Sequence, residues 1–388
     1  TRKIRDLTGW MHIVVIWDSG NATADDRMRI YVNGTRETAF DDSTNPDQNQ
    51  DSVINGNSLG GSDYGEGKHF IGKFADTSDN SGTYKTEINF VDGQAYDPSY
   101  FGFTDPQTGI WMPKRYEGVY GSNGFYLDLS DNSSTTTLGI DKSPNGNDFT
   151  LNNFAVSDSV KDTPTSAFAT LNANVYADAN FNEGALYFDT PDTHKTAYST
   201  IAVNSGKWYW EAKAMSASST KWTYGVSDVK NITTGQVSGQ NALLAHDTNS
   251  GSTYVQGDAV SIYQDDLRKN GSITGSDVQD DIASGNIVAV ALDVDAGKVW
   301  FARNGTWING SATASTTLNP ASHDTTVTTG ETYVPAVSGE SADWQLNFGQ
   351  DDSFSGTSTS QGNQDENGLG SFYYAVPSGF KALCTKNL

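Results

Sequence analysis

Apolar residues in this chain seldom recur at i, i+3, i+4 and i+7 for more than one turn, because Gly, Asn, Asp, Ser or Thr interrupts them roughly every eight to twelve residues. That punctuation excludes long amphipathic helices and leaves short strands. The run HIVVIWD (12–18) is bounded by the polar stretch SGNATADD, and RMRIYV (27–32) leads directly into Asn33-Gly34. Asn-Gly between two strand-like runs marks a hairpin, since both central positions of a type I′ turn need positive φ. Far downstream, NIVAVALDVDAGKVWFARNGTW (286–307) reads as strand, Asp295-Ala296-Gly297 turn, strand, Asn304-Gly305 turn, strand. Short strands joined in this way predict antiparallel sandwiches, with alternate residues facing a core between two sheets.

Length sets the number of such units. At about 150 residues per domain, 388 residues suggest two or three, and two sandwiches fit. Only 36% of residues are hydrophobic, but 9 Trp, 18 Tyr and 17 Phe allow aromatic cores. Between the two hairpin regions, residues 105–164 carry Pro106, Pro113, Pro144 and Pro164 among Gly/Asn/Ser/Thr clusters. The aromatics there, including Trp111, Tyr116, Tyr120 and Phe125, argue for an ordered connector, because free linkers are aromatic-poor. The stretch SFSGTSTSQGNQDENGLGS (353–371) has few large side chains and reads as an exposed, mobile loop.

Charge and motif searches narrow the chemistry. Lys and Arg number 24 against 47 Asp and Glu, a net charge of −23 that repels nucleic acid and anionic lipid. No run of about 18 apolar residues and no basic-then-apolar leader is visible, so neither a membrane span nor a signal peptide is expected. The single Cys384 cannot form an internal disulfide or a Cys-based zinc site. The histidines at 12, 69, 194, 246 and 323 form no H-E-x-x-H pair, and His12, inside an apolar strand, reads as a packed or sheet-edge residue. Glycoside hydrolysis needs two facing carboxylates, yet Glu87 and Glu211 each stand alone on a strand. The loop containing Asp18, Asp25 and Asp26 gathers hard oxygens that could hold Ca²⁺, but in a chain with 47 acids a solvated acidic loop explains it more readily; no cofactor is required. Of the N-x-S/T sequons, Asn33 and Asn304 are already explained by turn geometry.

Three resemblances emerge from longer blocks. GWMHIVVIWDS through RMRIYVNG (9–34) resembles the middle strands of the concanavalin-A-like, laminin-G-like sandwich over residues 1–104, although that family's early strands have no counterpart here. SGKWYWEAKA (205–214), TYGVSD (223–228), IVAVALDVDAGKVWFARNG, TYVPAVS (332–338) and WQLNFGQ (344–350) are similar, in order, to SPRY domains over residues 165–388. EINFVDGQAYDPSYFG (87–102), TGIWMPKRYEGVYGSNGFYLDLS (108–130) and PSGFKALCTKNL (377–388) resemble structural proteins of marine tailed bacteriophages. The resemblance implies an all-β fold of two antiparallel β-sandwiches, 1–104 and 165–388, joined by the connector 105–164, and a fragment of a longer virion polypeptide.

It further implies a non-enzymatic tail-fibre or spike component on the virion surface. Its partners would be a host-surface glycan or receptor and other virion proteins, and its assembly a homotrimer. The rival readings are a capsid decoration or tail-assembly protein, a glycan depolymerase, and a cellular adhesin with the same modules. Trp208, Trp210, Trp300 and Trp344 fall within SPRY-like strands and are expected in the core. Tyr64, Trp222, Tyr224, Tyr254, Tyr263 and Trp307 fall at strand ends or in loops, where an aromatic face could stack on a pyranose.

Overall fold

In a computed structural model, the described residues are 9–50, 70–72, 83–173, 180–190, 195–217, 222–232, 257–308 and 315–388. They divide into two compact units, Gly9–Val156 and Ser157–Leu388. Strands dominate both, and the α-helix among the described residues is a single turn, Thr135–Leu138.

In the first unit, β1 (Ile13–Trp17), β2 (Met28–Val32) and β3 (Thr35–Arg36) form an antiparallel meander. Four short strands follow, β4 (Ile88–Phe90), β5 (Gly102–Thr104), β6 (Trp111–Pro113) and β7 (Phe125–Leu127), paired as β4–β7 and β5–β6. These sheets are what the described residues show where a lectin-like jelly roll was expected over 1–104. The compositional connector is not a separate piece, because residues 105–156 belong to this unit and 157–164 to the next. Trp111 shows how the first part packs. Its indole lies so close to Gly34 and Gly102 that a Cβ at either would meet the ring at 2.3 and 2.6 Å. Its Nε1–H donates to His12 Nδ1 at 3.0 Å, which requires a neutral imidazole, and burial lowers the His12 pKa accordingly. Tyr116, Tyr120 and Tyr126 form a second buried cluster.

The second unit is a sandwich of two antiparallel-dominated sheets. One holds β10 (Lys195–Tyr198), β20 (Tyr333–Gly339), β12 (Thr223–Asp228), β13 (Ala259–Tyr263), β14 (Asp266–Lys269) and β15 (Ser272–Gly275), in that spatial order. The other runs β18 (Thr306–Trp307), β17 (Lys298–Arg303), β16 (Ile287–Asp293), β11 (Lys207–Ala217), β21 (Ala342–Asn347), β9 (Tyr187–Asp189) and β8 (Asn180–Asn182). Two further strands, β19 (Thr325–Thr326) and β22 (Lys381–Ala382), pair with β17 and β11. Trp208, Trp210, Trp300 and Trp344 are all buried, as expected from their strand positions.

The segment read from composition as an exposed, mobile loop is exposed over much of its length, as at 359–362 and 366–368, but is anchored at several buried residues. Asp351, Asp352, Asp365 and Phe354 are buried, and the carboxylates cap backbone N–H groups. Asp352 accepts from Gln361 N and Gly362 N, and Asp365 from Asn367 N, Leu369 N and Ala382 N. Polar residues that signal loops here supply the hydrogen bonds an irregular buried backbone needs.

Three two-residue Asn-Gly turns share one geometry. Asn33, Asn270 and Asn304 sit at φ 48°, 51° and 48°, each followed by a positive-φ glycine. Each Asn N–H donates to, and each Asn carboxamide oxygen accepts from, the backbone of one residue on the neighbouring strand. His12 is held at 2.8 and 2.9 Å, Ala259 at 2.9 and 2.8 Å, and Ile287 at 2.7 and 3.0 Å. The turn thus clasps a third strand as well as closing its own hairpin. Asn304→Ala should cost about 1–3 kcal/mol, from the lost acceptor and the strained φ, lowering the melting temperature by roughly 2–8 °C. Asn304→Gly should lose less; equal melting of wild type and Asn304→Ala in calorimetry would show that the clasp is inert.

Candidate functional site

The strand-end aromatics are mostly core residues. Trp222 and Tyr224 are 2% and 1% exposed and Trp307 5%. The Trp222 indole donates to Asp343 O and lies edge-on to Trp344, while Tyr224 meets Phe301 edge-on at 5.5 Å. Trp222 and Tyr224 offer no face to a sugar, which corrects the sequence reading, whereas Trp307, though largely buried, lines the cleft between the β14–β15 and β17–β18 ends. Closeness to a turn suggested exposure, but both flanks of these strands are covered. Tyr263 is partly buried beneath the Arg268 guanidinium, 5.1 Å from the ring centroid. Tyr64 and Tyr254 lie outside the described residues.

The acidic loop of the first unit is also committed elsewhere. Asp18 pairs with Arg29 at 3.4 Å and Asp26 with Arg36 at 2.6 Å, while Asp25 accepts from Asn45. The three carboxylates therefore do not converge as a Ca²⁺ ligand set, and no group of three potential metal ligands occurs among the described residues. Glu87, read from the sequence as a strand carboxylate, instead precedes β4 at a positive φ and accepts from the Tyr126 hydroxyl at 2.6 Å.

Glu211 turns out to be a structural node. Fully buried on β11, it accepts from Tyr373 N, Tyr374 N, the Tyr209 hydroxyl and Asn347 Nδ2 at 2.8–3.2 Å. Burial raises its carboxyl pKa to about 7 against the pull of these donors. Two residues on, Lys213 points to the same side and donates to Thr357 and Ser358, with burial lowering its pKa. Both side chains pin the 350–388 segment to β11.

An open cleft of about 820 Å³ lies where the end of the β14–β15 hairpin meets the β17–β18 turn. Its walls carry Asp265, Asp277, Asp280 and Asp281 against one cation, Arg303. Arg303 pairs with Asp280 at 2.6 Å and donates to the backbone oxygens of Asp280 and Asp281. The hydrogen bond and charge of Asp265 raise the pKa of the Asp277 carboxyl. The raised Asp277 pKa marks a locally negative potential, which a cation would relieve.

The cleft was missed in the sequence because the Asn270-Gly271 hairpin was missed. Once β14 and β15 are paired, QDD (264–266) and SDVQDD (276–281) fall together at its open end.

Residues 207–351 match the SPRY domain family. SPRY domains are β-sandwich modules that bind other proteins, and the matched span runs from β11 through β21. Among solved structures, the SPRY domain of human HERC1 aligns at 17% identity over 45% of this chain and 96% of that one, with a TM-score of 0.31. The PSpry domain of TRIM65 aligns at 12% identity over 46% and 89%, with a TM-score of 0.29. No curated protein matches the chain.

The Glu211 node gives a signed pH dependence for this SPRY-like unit. A carboxyl with its folded pKa near 7 and an unfolded value of 4.5 keeps its proton longer in the native state. The contribution of Glu211 to stability is therefore full below pH 4.5 and declines as pH rises towards 7, by on the order of 3 kcal/mol. Glu211→Gln should remove that decline in the pH dependence of urea unfolding. An identical slope in the variant would assign the titration to another group.

Proposed function

We propose that this chain is a non-enzymatic exterior component of a tailed-bacteriophage virion, of tail-fibre or spike type, whose SPRY-like unit recognises a protein partner. The virion assignment rests on the sequence blocks at 87–102, 108–130 and 377–388. The recognition reading rests on one observation, the acidic cleft on a unit of a protein-binding family. Four carboxylates against one guanidinium suit a lysine- or arginine-bearing segment of a host-surface or virion protein. Sugar stacking has weaker support, since Trp222 and Tyr224 are buried and Trp307, which lines the cleft, is 5% exposed.

Binding of the recombinant chain to host cells and to purified virion proteins tests this. Saturable binding should weaken with added salt, as screening shortens the reach of the cleft's charge to about 10 Å or less. Asp277→Asn with Asp281→Asn should lower affinity roughly tenfold without altering the unfolding transition. Saturable binding to a host polysaccharide that the double variant retains would replace the cleft with a glycan site. Antibody labelling of intact particles checks the virion assignment, which fails if no particle is decorated.

A further inference from the structure

A row of tyrosines runs through the first unit and reaches the surface at one end. Successive ring centroids lie 6.4 Å apart from Tyr126 to Tyr120, 5.0 Å from Tyr120 to Tyr116, 5.9 Å from Tyr116 to Tyr96 and 4.3 Å from Tyr96 to Tyr100. The inner three are buried, and each phenol donates to a fixed acceptor: Tyr116 to Val119 O, Tyr120 to Asn89 Oδ1 and Tyr126 to the Glu87 carboxylate. Core packing accounts for these three. Tyr100 is different, because it is 46% exposed.

Tyr96 and Tyr100 are the closest ring pair among the described residues, and their planes are tilted by 31° rather than crossed edge to face. The turn between them fixes that contact. Pro98 opens a single 3-10 turn, Asp97 caps it by accepting from Ser99 N at 2.8 Å, and Tyr100 N–H donates to Asp97 O. The hydroxyl ends also converge. Burial pushes the Tyr116 pKa up to about 12, and the Tyr96 and Tyr100 phenols beside it add to the rise, so three hydroxyls meet at one place. Two phenols that share this orientation at 4.3 Å bring together the ring carbons next to their hydroxyls, the Cε atoms.

We propose that Tyr96 and Tyr100 form an oxidative cross-linking site, at which a one-electron oxidant from solution joins the two rings as dityrosine. Each ring gives one electron to the oxidant and its phenol proton to water. The two neutral radicals pair their odd electrons in a Cε–Cε bond, and the hydrogens on the joined carbons pass to the two oxygens, restoring both phenols. The balance is two oxidant equivalents reduced, two protons released and two hydrogen atoms lost from the protein. Exposure of Tyr100 admits the oxidant. Contact selects the partner, since a well-oriented neighbour in the same chain presents a far higher effective concentration than a second chain in solution. The site is independent of the cleft and of the virion reading.

Illuminating the dilute whole chain with ruthenium tris-bipyridyl and persulfate, which supply a one-electron oxidant, tests it. The monomer should gain dityrosine fluorescence. Hydrolysis on the amino side of each aspartate cuts between Tyr96 and Asp97, so peptides 92–96 and 97–104 should stay joined and weigh two hydrogens less than their sum. Tyr100→Phe should abolish the joined peptide and lower the monomer's fluorescence at least tenfold. Tyr373→Phe, at a pair whose rings are 5.0 Å apart and crossed at 76°, should leave both unchanged. Absence of dityrosine fluorescence from the monomer overturns the proposal. So does separation of the two peptides, and so does a joined product that survives Tyr100→Phe.

Discussion

The second unit depends on one strand that is buried on both faces. β11 pairs with β16 on one side and β21 on the other, and its side chains alternate between two different environments. Trp208, Trp210, Ala212 and Ala214 lie on the side shared with Val290, Phe301 and Trp344, against the six-stranded sheet. Tyr209, Glu211 and Lys213 lie on the other side, under the 350–388 segment. A carboxylate and an ammonium group cannot be left there unpartnered, because burial without hydrogen bonds would cost several kcal/mol each. Tyr209 and Asn347 supply part of their hydrogen bonding and the rest comes from residues 357–374, in a segment that folds irregularly but with its own polar groups satisfied by Asp351, Asp352 and Asp365. Removing that segment would strip a layer from the sandwich.

The same demand for hydrogen bonding explains the Asn-Gly clasps. A type I′ turn needs two left-handed residues, and Asn tolerates that conformation better than most. In this chain the Asn side chain also reaches across to a third strand. Hairpin closure and sheet extension are therefore coupled at three places, one in the first unit and two in the second.

Function follows from what those constraints leave outside. With the large aromatics drawn into the core, the chemically distinctive surface of the SPRY-like unit is the acidic cleft at the β14–β15 and β17–β18 ends. In the first unit it is a sheet face on which Met11, Ile13, Val15 and Met28 are exposed. One surface attracts cationic groups over a distance, and the other acts only on contact, so the two suit different kinds of encounter.

The sequence by itself determined the strand class, the hairpins at Asn33-Gly34 and Asn304-Gly305, and the burial of Trp208, Trp210, Trp300 and Trp344. Period and turn chemistry are local properties, readable within a few residues. Only the tertiary structure decided the rest. Trp222, Tyr224 and Trp307 sit next to turns, and nothing local reveals the layers that cover them. The stretch 353–371 has the composition of a free loop, and only its placement over β11 turns its Asp and Ser residues into caps for buried backbone. Asp18 and Asp26 have the composition of a calcium loop, and arginines ten or eleven residues away in sequence take their charge instead. Exposure and charge pairing depend on which distant segment lies opposite, and that partner is fixed by the fold as a whole.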